Sequence, residues 1–465
     1  MTDYTKLTQN IRKFIHSPEQ LCWNIDWRKK QLNALIALID EHTDDIAHAL
    51  NADLGKSDQE SWLTEIGIVR HEARYALRHI DSWVKGKKHK TPLFLFPASS
   101  HVQPQPFGLT LIIAPWNYPF QLLISPLIAA ISAGNACILK PSELAPATAK
   151  VISERIPKYL DTRAFAVVEG GPDETSQLLK EKFDLIFFTG STNIAKYITR
   201  AAAEHLTPTI LELGGKSPTV IIHCQNLKHA ARRIAFAKYT NAGQTCVAPD
   251  YVLIEASLKD AFIAELKTAI KDQFGEHGER MGKIIHDRHY NRLKGMLQSK
   301  DDPTAKILCG GNTNDENRTI EPTVMEVSVN HPLMQEEIFG PILPIITIAA
   351  SNKKTLADTA LDQISAHPTP LACYLFSDDK SDVKPFKRLR CGGFVYNDAL
   401  MHVANIHLPF GGIGTSGMGQ SHGYAGFCAF SHHRAELMQP AGIDIPFRYP
   451  PYTEKIWKLM KFFMH

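Results

Sequence analysis

Cys246 stands in Asn241-Ala-Gly-Gln-Thr-Cys246-Val-Ala-Pro-Asp250, just after a small, polar, glycine-containing turn. A helical spacing of Ala230, Ile234, Ala237 and Lys238 runs into this stretch, and a β-rich run, Tyr251–Glu255, leaves it. A thiol at such a junction can meet an incoming substrate, whereas one inside a helix is packed away. Free cysteine is also a common inert core residue, so Cys246 alone leaves both readings open.

Four other groups follow predicted strands, where ligands of open α/β sheets bind. Asn117, in Ala114-Pro-Trp-Asn117-Tyr-Pro, can donate its amide to a developing oxyanion or cap a helix. Lys140 and Glu143, in Lys140-Pro-Ser-Glu143, can hold ribose hydroxyls through charge-assisted hydrogen bonds or form a solvated pair on a turn. Phe188-Thr-Gly190-Ser-Thr-Asn-Ile-Ala195 reads as strand, turn and helix, and offers backbone N–H groups and a helix N-terminus to a phosphate. Glu212, in Leu211-Glu-Leu-Gly-Gly215, ends a strand. Unpaired there, it acquires the raised pKa of a general base; the alternative is a salt bridge to Lys216. An ordinary thiol of pKa about 8.5 gains only about thirtyfold, roughly 2 kcal/mol, from full ionisation. Glu212 is therefore assigned chiefly to activating water against a thioester.

These positions need a frame. From residue 108 apolar runs alternate with helical patterns: Leu109–Ala114, Ala136–Lys140, Phe165–Glu169, Leu185–Thr189 and Thr209–Leu213. Five strands separated by helices predict a parallel, doubly wound sheet. The alternation restarts after Gly214-Gly215, which predicts a second α/β domain. Upstream, Leu32, Leu35, Ile36, Ile39, Ile46 and Leu50 form one helical stripe. Trp62, Ile66, Val69, Ala73, Leu77, Ile80 and Trp83 form another, and a Pro-rich β-like stretch spans 91–106.

At 465 residues, two or three domains are expected. With 51 basic against 48 acidic residues and no Lys/Arg run interleaved with aromatics, nucleic acid is not an expected partner. The eight cysteines are scattered without a Cys-x-x-Cys pair, which argues against a disulfide framework and a structural zinc and suits a reducing compartment. No signal-peptide pattern opens the sequence, and Leu122–Leu139 is broken by Pro126, Gly134 and Asn135. The profile is cytosolic.

Taken together, the motifs resemble the aldehyde dehydrogenase superfamily. Pro115-Trp-Asn-Tyr-Pro119, Lys140-Pro-Ser-Glu143, Phe188-Thr-Gly-Ser-Thr192, Leu211-Glu-Leu-Gly-Gly-Lys216, Gly243-Gln-Thr-Cys246, Glu337-Ile-Phe-Gly-Pro341 and Pro409-Phe-Gly-Gly412 occur in the family's order and cover essentially the whole chain. Cys246-Val-Ala-Pro-Asp-Tyr251, the stretch Asn397–Gly419 and Phe447-Arg-Tyr-Pro-Pro451 resemble the short class 3 branch, which oxidises fatty and aromatic aldehydes.

The resemblance implies Cys246 as nucleophile, passing through a thiohemiacetal and a thioester, with Asn117 and the Cys246 N–H as oxyanion hole and Glu212 activating the hydrolytic water. It implies a cofactor site of Lys140 and Glu143 at the adenosine ribose, Glu337 at the nicotinamide ribose with Phe339 beside it, and Trp116, Gly190 and Ser191. NAD is the implied cofactor, since Glu143 repels a 2′-phosphate, although the branch often tolerates NADP. Ala195 replaces the family's common glycine, a position that accepts alanine. The implied domains are a cofactor domain (1–85 and 107–211), a catalytic domain (212–415) and a small β bridging element with the tail (86–106 and 416–465) that mediates homodimers.

Lys455, Lys458 and Lys461 fall on one side of a C-terminal helical pattern, with Ile456, Leu459 and Phe463 on another and Phe462 at the border. Such a helix can lie peripherally on an anionic membrane or dock on a partner subunit. Alternative activities are a coenzyme A-acylating dehydrogenase and a cysteine acyl hydrolase with a histidine near Cys246. The aldehyde itself stays open, as does whether Trp62 or Tyr118 lines its pocket.

Overall fold

The run Leu109–Ile113 becomes a central strand because both its faces are covered; all five residues are buried. The computed structural model describes residues 3–299, 302–445 and 448–464, apart from the side chains of Leu459, Phe463 and Met464. Phe447, expected as part of a branch motif, therefore lies outside the described residues, as do the Leu459 and Phe463 side chains of the tail pattern.

Leu109–Ile113 sits within a six-stranded sheet ordered Gly417–Met418, Thr209–Leu213, Leu185–Gly190, Leu109–Ile113, Ala136–Lys140, Phe165–Val167. The five strands between residues 109 and 213 are parallel, and Gly417–Met418 joins antiparallel with Gly417 opposite Glu212. The chain runs outward to one side through Ala136–Lys140 and then returns to the other through Leu185–Gly190. The direction reverses beside Leu109–Ile113, where open α/β sheets leave a crevice beyond their strand ends.

The apolar stretch Leu122–Leu139 divides into the helix Gln121–Ala133, a left-handed Gly134 (φ +91°) and the strand Ala136–Lys140. No helix among the described residues is long and apolar enough to cross a membrane.

The first predicted stripe is realised on Ile25–Glu41 and Thr43–Leu54, with Leu32, Leu35, Ile39, Ile46 and Leu50 fully buried. The second departs from a uniform helix. Asp58–Ser61 runs into a π turn, Trp62–Ile66, before the α-helix Gly67–Trp83. The wider turn shifts the helical phase, so Trp62 leaves the buried stripe and is 41% exposed, while Ile66, Val69, Ala73 and Ile80 stay inside. Gly67 is required at this step, because a Cβ there would lie 2.8 Å from the Trp62 carbonyl oxygen.

The second sheet has seven strands, ordered Lys306–Cys309, Thr323–Glu326, Ile342–Ile348, Tyr251–Glu255, Pro218–Ile221, Ala372–Phe376, Gly393–Tyr396. All run parallel except Lys306–Cys309. Alternate residues feed the two faces: Val252 and Ile254 pack under the helices Leu227–Tyr239 and Lys259–Phe274, and Tyr251 and Leu253 pack opposite.

A third, antiparallel sheet joins Lys87–His89, Ser99–Pro106 and Ser431–Met438. The helix Glu454–Met464 packs on the turn Leu93–Leu95 beside it.

Candidate active site

The cysteine is placed by an unusual backbone. Helix Leu227–Tyr239 ends, and Asn241, Ala242 and Gly243 follow in succession at φ +56°, +50° and +73°. A Cβ on Gly243 would lie 2.3 Å from the Gly340 carbonyl oxygen, so only glycine closes this turn. Gln244 anchors it: its amide donates to the carbonyls of Asn241 and Lys283 (3.1 Å each) and accepts from the N–H of Ile285 at 3.1 Å. Cys246 emerges half-buried.

Asn117 meets the same loop and caps no helix. Its Nδ2 donates to the Gln244 carbonyl at 3.0 Å, and its own carbonyl accepts from Asn241 Nδ2 at 2.8 Å. A primary amide nitrogen carries two hydrogens, so one remains for an oxyanion.

Glu212 is 3% exposed in Thr209–Leu213. Ser421 Oγ donates to its Oε1 at 3.0 Å, while the buried Oε2 has no hydrogen-bond partner. Burial pushes its pKa up to about 8, opposed by the Ser421 hydrogen bond. Lys216 is engaged elsewhere, with Asp250 at 2.5 Å and the carbonyls of Leu333 and Glu336 at 2.7 and 3.0 Å. The salt-bridge alternative for Glu212 therefore does not occur.

Burial likewise pushes the Cys246 thiol up to about 12, reinforced by Glu337 and Glu212 and opposed by the N–H groups of Cys246 and Val247. This corrects the expectation of an ordinary thiol. At pH 7 such a group is ionised about once in 10⁵, so full ionisation is worth about 7 kcal/mol rather than 2. No imidazole is among the leading influences on the thiol.

Three charged residues that sequence reasoning missed hold this loop in place. Lys56 and Glu65, both fully buried, pair at 2.5 Å. Glu65 Oε2 accepts from the N–H groups of Phe120 (2.9 Å) and Gln121 (3.0 Å), and Lys56 donates to the Asn117 carbonyl at 3.3 Å. Glu60 Oε1 accepts from the N–H of Asn241 at 2.6 Å. In sequence all three look like surface charges.

On the cofactor side, Lys140 is 2% exposed. It donates to the Pro141 carbonyl at 2.7 Å and lies 3.8 Å from the exposed Glu143 carboxylate. Desolvation lowers its pKa, against the pull of Glu143 and Glu174. Gly190 closes the strand Leu185–Gly190, on the other side of Leu109–Ile113, where a Cβ would meet the Phe188 ring at 2.4 Å. Ser191 Oγ caps the helix Thr192–Ala203 through the N–H of Ile194, and Ala195 is buried without disturbing that helix. The Glu337 carboxylate is seated over Gly214, where a Cβ would stand 2.1 Å from Oε2. Burial pushes its pKa up to about 8, with Asp250 adding to the rise and the Gly215 N–H opposing it.

Phe339 adopts φ +54° and meets Trp116 edge-on at 5.4 Å. His289, also unanticipated, donates Nε2–H to the Phe339 carbonyl at 2.8 Å; burial lowers its pKa to about 4, keeping the ring neutral. A buried ammonium beside a carboxylate, a helix N-terminus behind a glycine turn and a second carboxylate over Gly214 together fit a dinucleotide.

Behind the thiol lies a cavity of about 160 Å³, walled by Leu63, Ile68, Tyr118, Leu122, Phe236 and Val403 among others. An outer hollow of about 360 Å³ shares Leu63, Ile68, Val403, Ala404 and His422 with it and includes Trp62. Tyr118 thus lines the inner chamber and Trp62 the outer. The Tyr118 hydroxyl lies 2.5 Å from Thr245 Oγ1, and Lys56 Nζ lies 4.0 Å from its ring centre.

Residues 20–435 match the profile of the Aldehyde dehydrogenase family. The chain is 43% identical over 445 residues to 4,4'-diaponeurosporen-aldehyde dehydrogenase of Staphylococcus aureus, covering 95% of each chain. It is also 43% identical over 437 residues to aldehyde dehydrogenase family 3 member B1 of Rattus norvegicus, covering 92% of this chain and 91% of that one. A solved substrate-bound state of Staphylococcus aureus AldH superposes with a TM-score of 0.94 at 41% identity, covering 100% of both chains.

Proposed function

The chain belongs to the aldehyde dehydrogenase family, with relatives in its class 3 branch, and on that premise we propose that it oxidises an apolar aldehyde, medium- or long-chain or aromatic, to the carboxylic acid with NAD, and with NADP tolerated. The observation that carries this reading is the half-buried Cys246 facing an apolar cavity, with Glu212 near enough to act on its charge.

Cys246 Sγ forms the bond to the carbonyl carbon once its proton has left. The Cys246 N–H and the second Asn117 Nδ2 hydrogen receive the oxyanion, each donor being worth about 3 kcal/mol. A nicotinamide dinucleotide, when bound, supplies the hydride acceptor. Lys140 and Glu143 hold its adenosine ribose, Gly190 and Ser191 its phosphates, and Glu337, with Phe339 and Trp116, its nicotinamide end. The carbon is then a thioester on Cys246. Glu212 takes a proton from water, the water oxygen bonds to the acyl carbon, the C–S bond breaks, and the acid leaves. A thiol near pKa 12 also needs a base: Glu212 takes its proton, and where that carboxylate is missing hydroxide takes it more slowly, so acylation persists while hydrolysis stops.

In this reading residues 1–85 and 107–211 bind cofactor and 212–415 carry catalysis. Residues 86–106 and 416–465 bridge a homodimer, after Gly417–Met418 has added its short strand to the first sheet. The protein acts in the cytoplasm, peripheral at a membrane through its C-terminal helix.

The test follows NADH absorbance with NAD and a panel of aldehydes. Wild type is expected to turn over steadily, Cys246→Ser to be inactive, and Glu212→Gln to give a single burst. A requirement for coenzyme A would overturn hydrolysis in favour of acyl transfer, and no NADH under either condition would shift the assignment to a cysteine hydrolase.

A further inference from the structure

Four carboxylates gather around one histidine at the far end of the second sheet. Strands Pro218–Ile221, Tyr251–Glu255 and Ala372–Phe376 are parallel neighbours and end side by side, with Ile221 opposite both Phe376 and Ile254. The segments at these ends hold His223, Glu255, Asp378, Asp379 and Asp382. Among the described residues no lysine or arginine forms an ion pair with any of the four acids; the basic group found there is His223, whose Nδ1 lies 2.8 Å from Asp382 Oδ2.

Three of these side chains are assembled around a common point. One nitrogen of His223 and one oxygen each of Asp379 and Asp382 all lie within 4.8 Å of one another. Bonds of about 2.1 Å to a transition ion set neighbouring donors about 3.0–3.4 Å apart, so small side-chain adjustments close the three on such an ion. The backbone holds them ready. His223 stands in the left-handed region at φ +46°, fixed by its N–H on Glu255 Oε2 at 2.9 Å and by the Asp378 N–H on its carbonyl at 3.1 Å. Asp382 is 8% exposed and accepts from Ser377 Oγ at 2.7 Å through Oδ2, while its Oδ1 takes no hydrogen bond from any described residue. A carboxylate oxygen left this way in a buried side chain keeps its lone pairs for a cation. Asp379, held by the Ser381 N–H at 2.8 Å, is exposed like His223, and the two open the cluster to solvent.

We propose that His223, Asp379 and Asp382 bind a divalent first-row transition ion, of which zinc is the probe, and that this ion clasps the ends of strands Pro218–Ile221 and Ala372–Phe376. Imidazole and carboxylate together suit such an ion better than calcium or magnesium, which prefer all-oxygen sites. No thiolate takes part, so the absence of a Cys-x-x-Cys pair does not bear on the site. Cys246 precedes Tyr251, at the opposite end of a five-residue strand that spans about 17 Å. The ion is therefore remote from the thiol, and its binding does not depend on the aldehyde chemistry.

The experiment titrates zinc chloride into the full-length protein by calorimetry, in a Cys246→Ser background that keeps the thiol out of the reading. Thermal unfolding is followed on the same samples with and without zinc. One ion per chain, bound in the micromolar range, is expected, together with a higher unfolding temperature. His223→Asn, which keeps a residue suited to the left-handed backbone, Asp379→Asn and Asp382→Asn should each weaken binding at least about tenfold and abolish the thermal shift, with the circular dichroism spectrum unchanged. No binding up to millimolar zinc overturns the proposal. So does equal binding by the parent and the exposed-site variant Asp379→Asn, which would put the ion on other histidines. Calcium bound as tightly as zinc would overturn the assignment to a transition ion.

Discussion

Lys56 and Glu65 meet at 2.5 Å in complete burial, and the second oxygen of Glu65 takes two N–H groups at the start of the helix that follows Asn117. The pair comes from outside the catalytic segments, yet it fixes the backbone from which the oxyanion donor projects. It stands where it does because the π turn Trp62–Ile66 rotates Glu65 inward.

Removing one member of this pair leaves an uncompensated buried charge, at a cost of about 3–5 kcal/mol. Lys56→Met and Glu65→Leu are each expected to lower the thermal unfolding temperature and kcat. The double variant should lose less than the two single losses together, a coupling that a double-mutant cycle by calorimetry reads directly.

With its pKa near 8, Glu212 is only about one-tenth ionised at pH 7, so a hydrolysis-limited rate should climb as pH passes 8 and level off above it. Glu212→Gln should erase that limb of the pH profile. Stability moves the opposite way. The folded pKa lies above the ordinary 4.5, so the favourable contribution of the neutral acid is complete below pH 4.5 and is lost as pH rises through 8. At pH 9 the Gln variant should therefore melt higher than wild type; a lower melting temperature there would contradict the burial argument.

Alkylation of Cys246 by iodoacetamide in the cofactor-free protein should be slow at pH 7 and rise about tenfold per pH unit through pH 10, because the thiol is held up at about 12. A plateau near pH 8 would mean the thiolate forms as readily as in a free peptide.

Glu143→Gln removes the charge that a 2′-phosphate would face beside Lys140, which lies 3.8 Å away. The ratio of kcat/KM for NADP to that for NAD should rise about tenfold, equivalent to about 1.4 kcal/mol. An unchanged ratio would place the 2′ position elsewhere.

Gly243→Ala puts a side chain into a left-handed residue and against the Gly340 carbonyl. Strain of about 1–3 kcal/mol is expected, together with loss of turnover, since Cys246 follows three residues later. Circular dichroism melting and NADH formation separate the two effects.

The frame was legible because its cause is local. Continuous apolar runs such as Leu109–Ile113 and Leu185–Thr189 have no alternative to burial on both faces, and the strand ends then mark Asn117, Lys140, Gly190 and Glu212. What stayed hidden depends on distance in the chain. Lys56, Glu60 and Glu65 read as surface charges until the fold dries them, and His289 gives no sign that it supports Phe339. The thiol of Cys246 reads as ordinary until Glu212 and Glu337 and the desolvation around it are counted. Gly417–Met418 is too short and too rich in glycine neighbours to read as a strand, yet it pairs with Glu212. The chambers behind Cys246 draw their walls from Leu63, Leu122, Phe236 and Val403, which share no periodicity.

Ser421, the hydrogen-bond partner of Glu212, lies 209 residues further along the chain. During synthesis the ribosome has released every strand of both large sheets before this hydroxyl appears, and the edge strand Gly417–Met418 arrives only just ahead of it. A nascent chain can thus have its thiol and its carboxylate in hand while the carboxylate is still without its hydroxyl partner and the edge of its sheet is open. The hydroxyl that holds the Glu212 carboxylate is thus among the last parts of the centre that translation supplies.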